Sequence, residues 1–122
     1  MHDEIFEDLL RRITPQDGVD QIIALRTASG RTYVMENRDI MSGDHGDEDL
    51  FLHSLQMQGD TQVTHLVCQW FDGCIDLPSF HFREKLLEIN GNNANTWILL
   101  QGESGYVAKQ LQITLPPKKE TD

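Results

Sequence analysis

Three short links, Ala28-Ser29-Gly30, Asp72-Gly73 and Gly102-Glu103-Ser104-Gly105, each separate two runs in which apolar and polar residues tend to alternate. A glycine-ended three-residue loop, or Asp-Gly itself, between such runs signals a β-hairpin, because the turn needs the positive φ that glycine tolerates. A chain with three such signals is expected to build an antiparallel sheet, and its remaining periodic stretches must cover that sheet.

The turns also set registers. A loop at 28–30 places Thr27 opposite Arg31, Leu25 opposite Tyr33 and Ile23 opposite Met35. That gathers Ile23, Leu25, Tyr33 and Met35 on one face, and register follows the buried face. In the third hairpin Gln101 faces Tyr106, Leu100 faces Val107 and Ile98 faces Lys109. In the second, a two-residue loop at Asp72-Gly73 sets Phe71 opposite Cys74, Trp70 opposite Ile75 and Cys68 opposite Leu77. Leu66, Cys68, Trp70, Ile75 and Leu77 then share an apolar face, with Val67, Gln69, Phe71, Cys74 and Asp76 behind it. The chain's two cysteines point to opposite sides in this register, which excludes a disulfide between them and a shared metal ion. Their spacing is not that of a redox or zinc CxxC pair.

Two stretches have helical spacing. Residues 3–13 place Ile5, Phe6, Leu9, Leu10 and Ile13 on one stripe, with Asp3 and Glu4 at the start and Arg11 and Arg12 at the end, as the helix dipole favours. Residues 79–90 follow a proline, are capped by Asp76 or Ser79 and stop before Gly91. Residues 36–49 carry six acidic side chains without a sustained period and read as a mobile loop. Residues 50–58 fit either pattern. Phe51, His53, Leu55 and Met57 share a face if they form a strand, and Gly59-Asp60 would then turn into the next one. The expected architecture is α+β: an antiparallel sheet of three hairpins, with an N-terminal helix and a second helix at about 79–90 packed on it. A single domain is expected over 1–115, with a flexible polar tail over 116–122.

Composition narrows function. Twenty acidic residues stand against ten basic ones, a formal charge of −10. Nucleic-acid binding rests largely on Lys and Arg neutralising phosphates, so nucleic acid and anionic membranes are not expected partners. No run of 18 apolar residues occurs and the N-terminus lacks the basic start of a signal peptide, which leads to a cytoplasmic expectation. No P-loop, GxGxxG, HExxH or GxSxG elbow is present.

No catalytic residue, cofactor or metal is therefore expected. The nearest approach to a metal site is Asp44, His45, Asp47 and Asp49, whose spacing is not that of an EF-hand. His65 reads as a surface residue and His81 as an unremarkable one in the first turn of its helix. A pocket between sheet and helix would be lined by His65, Gln69 and Asp76. An apolar strand end at Leu111, Ile113 and Leu115 needs a neighbour, which predicts a homodimer through those residues. The leading functional expectation is a small acidic non-enzymatic interaction module (an adaptor, chaperone or inhibitor) whose partner is another protein, possibly a basic one. The alternatives are a ligand-binding protein or enzyme with a pocket between sheet and helix, and a divalent-cation-responsive protein using the 44–49 acidic loop.

Overall fold

The computed structural model describes residues 2–14, 16–38 and 40–116. The expected polar tail, beyond Pro116, lies outside these residues. Helix α1 spans His2–Arg12. Strands β1 (Gln21–Thr27) and β2 (Thr32–Asn37) follow, then a short 3₁₀ turn at Ile40–Ser42 and helix α2 (Gly46–Met57). Strand β3 (Val63–Trp70), helix α3 (Phe80–Ile89) and strands β4 (Trp97–Gly102) and β5 (Gly105–Gln110) complete the regular elements, with 3₁₀ turns at Gly91–Asn95 and Leu111–Thr114.

The five strands form one sheet in the order β2-β1-β3-β4-β5. β1 and β2 pair as the sequence predicts, Ile23 with Met35 and Leu25 with Tyr33. Gly30 takes φ +90° in their turn. β4 and β5 pair in the predicted register as well. The sheet is mixed rather than purely antiparallel, because β3 and β4 run parallel through His65–Trp97 and Leu66–Ile98. The α+β class holds; the row of three hairpins does not.

The second hairpin is where the difference arises. Its loop has three residues, with Gly73 at φ +85°, so Trp70 N donates to Cys74 O and Asp76 N to Cys68 O. This register is one residue from the expected one, and a one-residue slip moves each side chain of a limb to the other face. Ile75 accordingly joins the cluster under α1, with Phe6, Leu9, Ala24, Val67 and Leu99. The return limb makes a single bridge, Gln69 to Ile75, before Pro78 takes the chain into α3. Ile75 O also accepts from Gln101 N at 3.2 Å. The 74–76 limb is thus wedged between the C-terminal ends of β3 and β4. Both thiols are free, Cys68 buried and Cys74 exposed, for reasons of depth rather than of opposite faces.

Residues 50–57 are helical, with Gln58 as the C-cap of α2. Leu52 and Leu55 enter the core at helical spacing, while Met57 is exposed. Gly59 at φ +66° does not turn a hairpin; it ends α2. Asp60 N reaches Leu55 O and Gly59 N reaches Gln56 O, the paired bonds of a Schellman motif. The expected loop at 36–49 is largely structured too, containing the end of β2, a 3₁₀ turn and the start of α2.

The result is three layers. α1 covers one face of the sheet. α2 and α3 cover the other, over Ile23, Leu25, Leu66, Cys68 and Ile98, with Phe82 and Leu86 inserted from α3. The outgoing chain does not continue as a strand past Gln110. Leu111 lies wholly inside this core and Leu115 packs against it, so of the three residues expected at a dimer interface only Ile113 is open.

Candidate active site

α2 and α3 begin side by side. Ser79 caps α3: its Oγ accepts from Phe82 N at 3.1 Å. The same hydroxyl donates toward the Glu48 carboxylate, lying 2.8 Å from Oε2 and 3.0 Å from Oε1. Glu48 sits in the first turn of α2 and is 0% exposed. A buried carboxylate is costly without partners. Here the partners are Ser79, the His45 ring, with Nδ1 2.8 Å from Glu48 Oε1, and the partial positive charge of two adjacent helix N-termini.

The second histidine completes the group. His81, in the first turn of α3, places Nε2 2.7 Å from Asp49 Oδ1. The His45 and His81 rings stack with centroids 4.3 Å apart and planes 24° apart. Each imidazole is about one-third exposed, at 34% and 30%, so the buried carboxylate reaches solvent through two rings. Donor atoms of His45, Glu48 and His81 all lie within 4.8 Å of one another. A fixed carboxylate beside two imidazoles can carry protons and can offer nitrogen and oxygen ligands.

Cys68 lies in the core that α2 and α3 cover. Burial pushes its thiol well above the usual range, and the charges of Glu48 and Asp76 push it further, so it is not a nucleophile. Cys74 is open to solvent but raised by its Asp72 neighbour. Neither cysteine belongs to the site.

The sequence-predicted residues fare unevenly. His45 and Asp49 enter the group. Asp44 Oδ1 is taken by Gly46 N at 2.8 Å and Asp47 Oδ2 by Arg38 N at 3.4 Å, so the expected acidic loop is instead the first turn of α2 and the residues leading into it. His65 is buried on the α1 side with its ring edge-on to Phe6, not on the surface. Gln69 lines a separate surface cleft of about 300 Å³ with Gln16, Val19 and Trp70, and Asp76 is exposed. His65, Gln69 and Asp76 do not converge on one pocket. Sequence reasoning passed over Glu48, Ser79 as a side-chain partner, and His81. One signal was present: Glu48, Leu52 and Leu55 fall on one helical stripe, and a carboxylate on an otherwise apolar stripe needs a reason.

No protein-family model matches the chain, and no curated protein matches it. Solved structures do. A cytidine deaminase from Mycobacterium tuberculosis is 19% identical, with 90% of this chain and 86% of that one covered and a TM-score of 0.58. A cytidine deaminase from Mycobacterium leprae is 15% identical, covering 96% and 95%, with a TM-score of 0.55. A mutant of the Mycobacterium tuberculosis enzyme is 16% identical, covering 99% and 93%, with a TM-score of 0.59. At such identities the likeness establishes the fold. It runs against the expectation of a small non-enzymatic interaction module and the leaning away from catalysis: the fold is shared with cytidine deaminases, and two imidazoles and a buried carboxylate meet at its helix N-termini. Among the described residues no helix is long and apolar enough to cross a membrane.

Proposed function

We propose that the protein is a hydrolytic enzyme of the deaminase type, acting on a small amine-bearing heterocycle at the α2–α3 junction. The observation that carries this reading is the fully buried Glu48 carboxylate, held between two helix N-termini and flanked by two imidazoles, in a fold shared with cytidine deaminases. Hydrolytic deamination adds water across a C=N bond and expels ammonia. It needs one group to take a proton from water and return it to the leaving nitrogen. Glu48 has the position for that work, through the oxygen lone pairs that Ser79 does not occupy. Ser79 fixes the carboxylate plane, and Asp49 fixes the His81 ring, so neither need reorganise during the reaction.

Zinc deaminases bind their ion with a His/Cys/Cys or Cys₃ set, the general acid–base being a Glu outside that set, in an H-x-E…P-C-x-x-C signature. This chain has His45-Gly46-Asp47-Glu48 and Pro78-Ser79-Phe80-His81. The thiolate half of the set has no counterpart at the junction, and that zinc site does not fit these residues.

The test is incubation with a panel of cytidine, deoxycytidine, adenosine, guanine and simpler aminopyrimidines, with and without added divalent ions, measuring released ammonia. Turnover that disappears in E48Q supports the reading; no ammonia from any member under any condition overturns it. A second reading, a small-ligand-binding protein without turnover, is favoured by the missing thiolates. Calorimetric binding of a panel member without ammonia release would select it.

A further inference from the structure

We propose that His45 is a second catalytic residue of the junction, giving a proton through Nε2 to the ring nitrogen beside the amine-bearing carbon of the substrate. The inference rests on the deaminase reading above and fills a transfer which that reading leaves open. Adding water to a C=N bond moves two protons, one off the water and one onto the ring nitrogen. Glu48 takes the first and keeps it for the leaving amine. A carboxylate that stores this proton cannot supply the ring nitrogen as well.

The contacts at Glu48 select the second group. Ser79 is committed, since its Oγ caps α3 and its hydrogen turns toward the carboxylate. His81 gives its Nε2 to Asp49 at 2.7 Å. His45 is the imidazole in direct contact with Glu48, through Nδ1 and Oε1 at 2.8 Å. An ionised carboxylate only accepts, so the proton of this bond sits on Nδ1. Nε2 is then the nitrogen that gains and loses a proton, the task for which histidine is suited near neutral pH. The His81 ring backs His45, stacked with centroids 4.3 Å apart and planes 24° apart. His45 is thus gripped at Nδ1 and over one ring face, while a third of its side chain stays open to solvent.

The transfers balance. Water oxygen bonds to the carbon as Glu48 takes one water proton. The C=N electron pair moves to the ring nitrogen, which takes the Nε2 proton of the charged His45. Glu48 then gives its proton to the amino nitrogen. The C–N bond breaks with its pair leaving on that nitrogen, the carbon becomes a carbonyl, and ammonia departs. The hydroxyl proton goes to His45 Nε2, so both side chains end as they began. The scheme requires a ring nitrogen next to the amine-bearing carbon, which an aminobenzene lacks.

Calorimetry reads the contact without turnover, using 4-aminopyrimidine and aniline, two probes that differ in their ring nitrogens. The parent should bind 4-aminopyrimidine about tenfold tighter than aniline, the scale of one hydrogen bond. H45F keeps a flat ring against His81 but has no nitrogen, and H45A removes the ring. Each should bring the ratio to within about threefold. H53A, at an exposed position elsewhere on α2, should keep the parental ratio. No preference in the parent, or a preference that survives in H45A and H45F, would overturn the contact. Turnover reads the transfer itself, with the amine that the parent deaminates fastest. H45F should lower kcat about a hundredfold or more, and added imidazole should restore part of the loss in H45A, where the ring's place is vacant, but none in H45F. Parental kcat in H45F, or equal rescue of both variants, would overturn the transfer while leaving the deaminase reading intact. A parent that releases no ammonia would overturn the transfer together with that reading, and the calorimetric ratio would still decide the contact. Circular dichroism of each variant checks its fold.

Discussion

Two carboxylates are buried among the described residues, Glu48 and Asp60, and they are held in opposite ways. Asp60 Oδ2 accepts from three hydroxyls, Tyr33 at 2.7 Å, Thr27 at 2.8 Å and Ser29 at 2.9 Å. These donors come from the β1–β2 hairpin, while Asp60 lies just after α2, so the group staples the hairpin turn to the α2–β3 link. Its donors are firmly placed, and none ionises near neutral pH. Glu48 has one hydroxyl, and its other close partner is an imidazole that opens to solvent. A carboxylate saturated by neutral donors is a structural part. One with a single fixed donor and an exchangeable ring is available for chemistry.

The sharpest way to break the comparison is to neutralise each acid in turn. E48Q should lower deaminase turnover by about a hundredfold or more, the scale of a lost general acid–base, while the protein still melts cooperatively. D60N should leave turnover near the parent's and lower stability instead. Activity lost in D60N but kept in E48Q would reverse the two assignments. For stability itself, D60A leaves the hydroxyls of buried Thr27, half-buried Tyr33 and exposed Ser29 without their acceptor and should cost about 3 kcal/mol by urea unfolding. Y33F removes only one donor to a charged group, for about 1.5 kcal/mol. Equal losses in the two variants would mean that Thr27 and Ser29 contribute nothing.

The pH dependence of unfolding sharpens the structural half. Burial alone would raise the Asp60 carboxyl, but the Tyr33, Thr27 and Ser29 hydroxyls and the Arg31 charge outweigh it, and the group lies below its ordinary range. A depressed folded-state value means that the unfolded chain binds the proton more readily. The stabilisation is therefore complete above the unfolded value near about 4, and it is lost as pH falls through the lower folded value. The stability gap between parent and D60N should shrink between neutral pH and about pH 2. Tyr33 is shifted the other way, raised by its bond to Asp60 and by burial. Its share is present below the ordinary phenol value and is lost as pH rises past the raised one. A gap that stays constant in acid would show that Asp60 gains nothing from its hydroxyls.

The contrast also explains what was legible in the sequence. The hairpin turn that carries Thr27 and Ser29 was readable, because Gly30 and the alternation of Ile23, Leu25, Tyr33 and Met35 fix loop and register locally. The β4–β5 register was readable for the same reason. α2 was not, because Phe51, His53, Leu55 and Met57 alternate as well as they spiral, and Gly59 suits a hairpin turn as well as a helix end. The parallel pairing of β3 with β4 depends on a long crossover, and strand pattern does not say which strand lies alongside. The site was lost with α2. Without a helix at 46–57 nothing placed Glu48 on an apolar stripe, and without the neighbouring starts of α2 and α3 nothing brought His45 to His81.

The smallest effect tests how the structural carboxylate is delivered to its donors. Gly59 precedes Asp60 and sits at φ +66°, in open space where a methyl group would touch nothing within 4 Å. Its role is therefore conformational. The left-handed residue allows Asp60 N to reach back to Leu55 O and aims the Asp60 side chain at the hairpin. A Cβ at positive φ is strained even where there is room for it, so G59A should cost about 1 kcal/mol in urea unfolding. G59N should cost less, since asparagine tolerates this region better than other side chains. If the strain is relieved by moving Asp60, the G59A and Y33F losses will not add, because both then act on one hydrogen-bonded group. If it is absorbed within the last turn of α2, they will add and the acid dependence of unfolding will match the parent's. Turnover is expected to be unchanged in either case, because Gly59 lies at the end of α2 remote from Glu48.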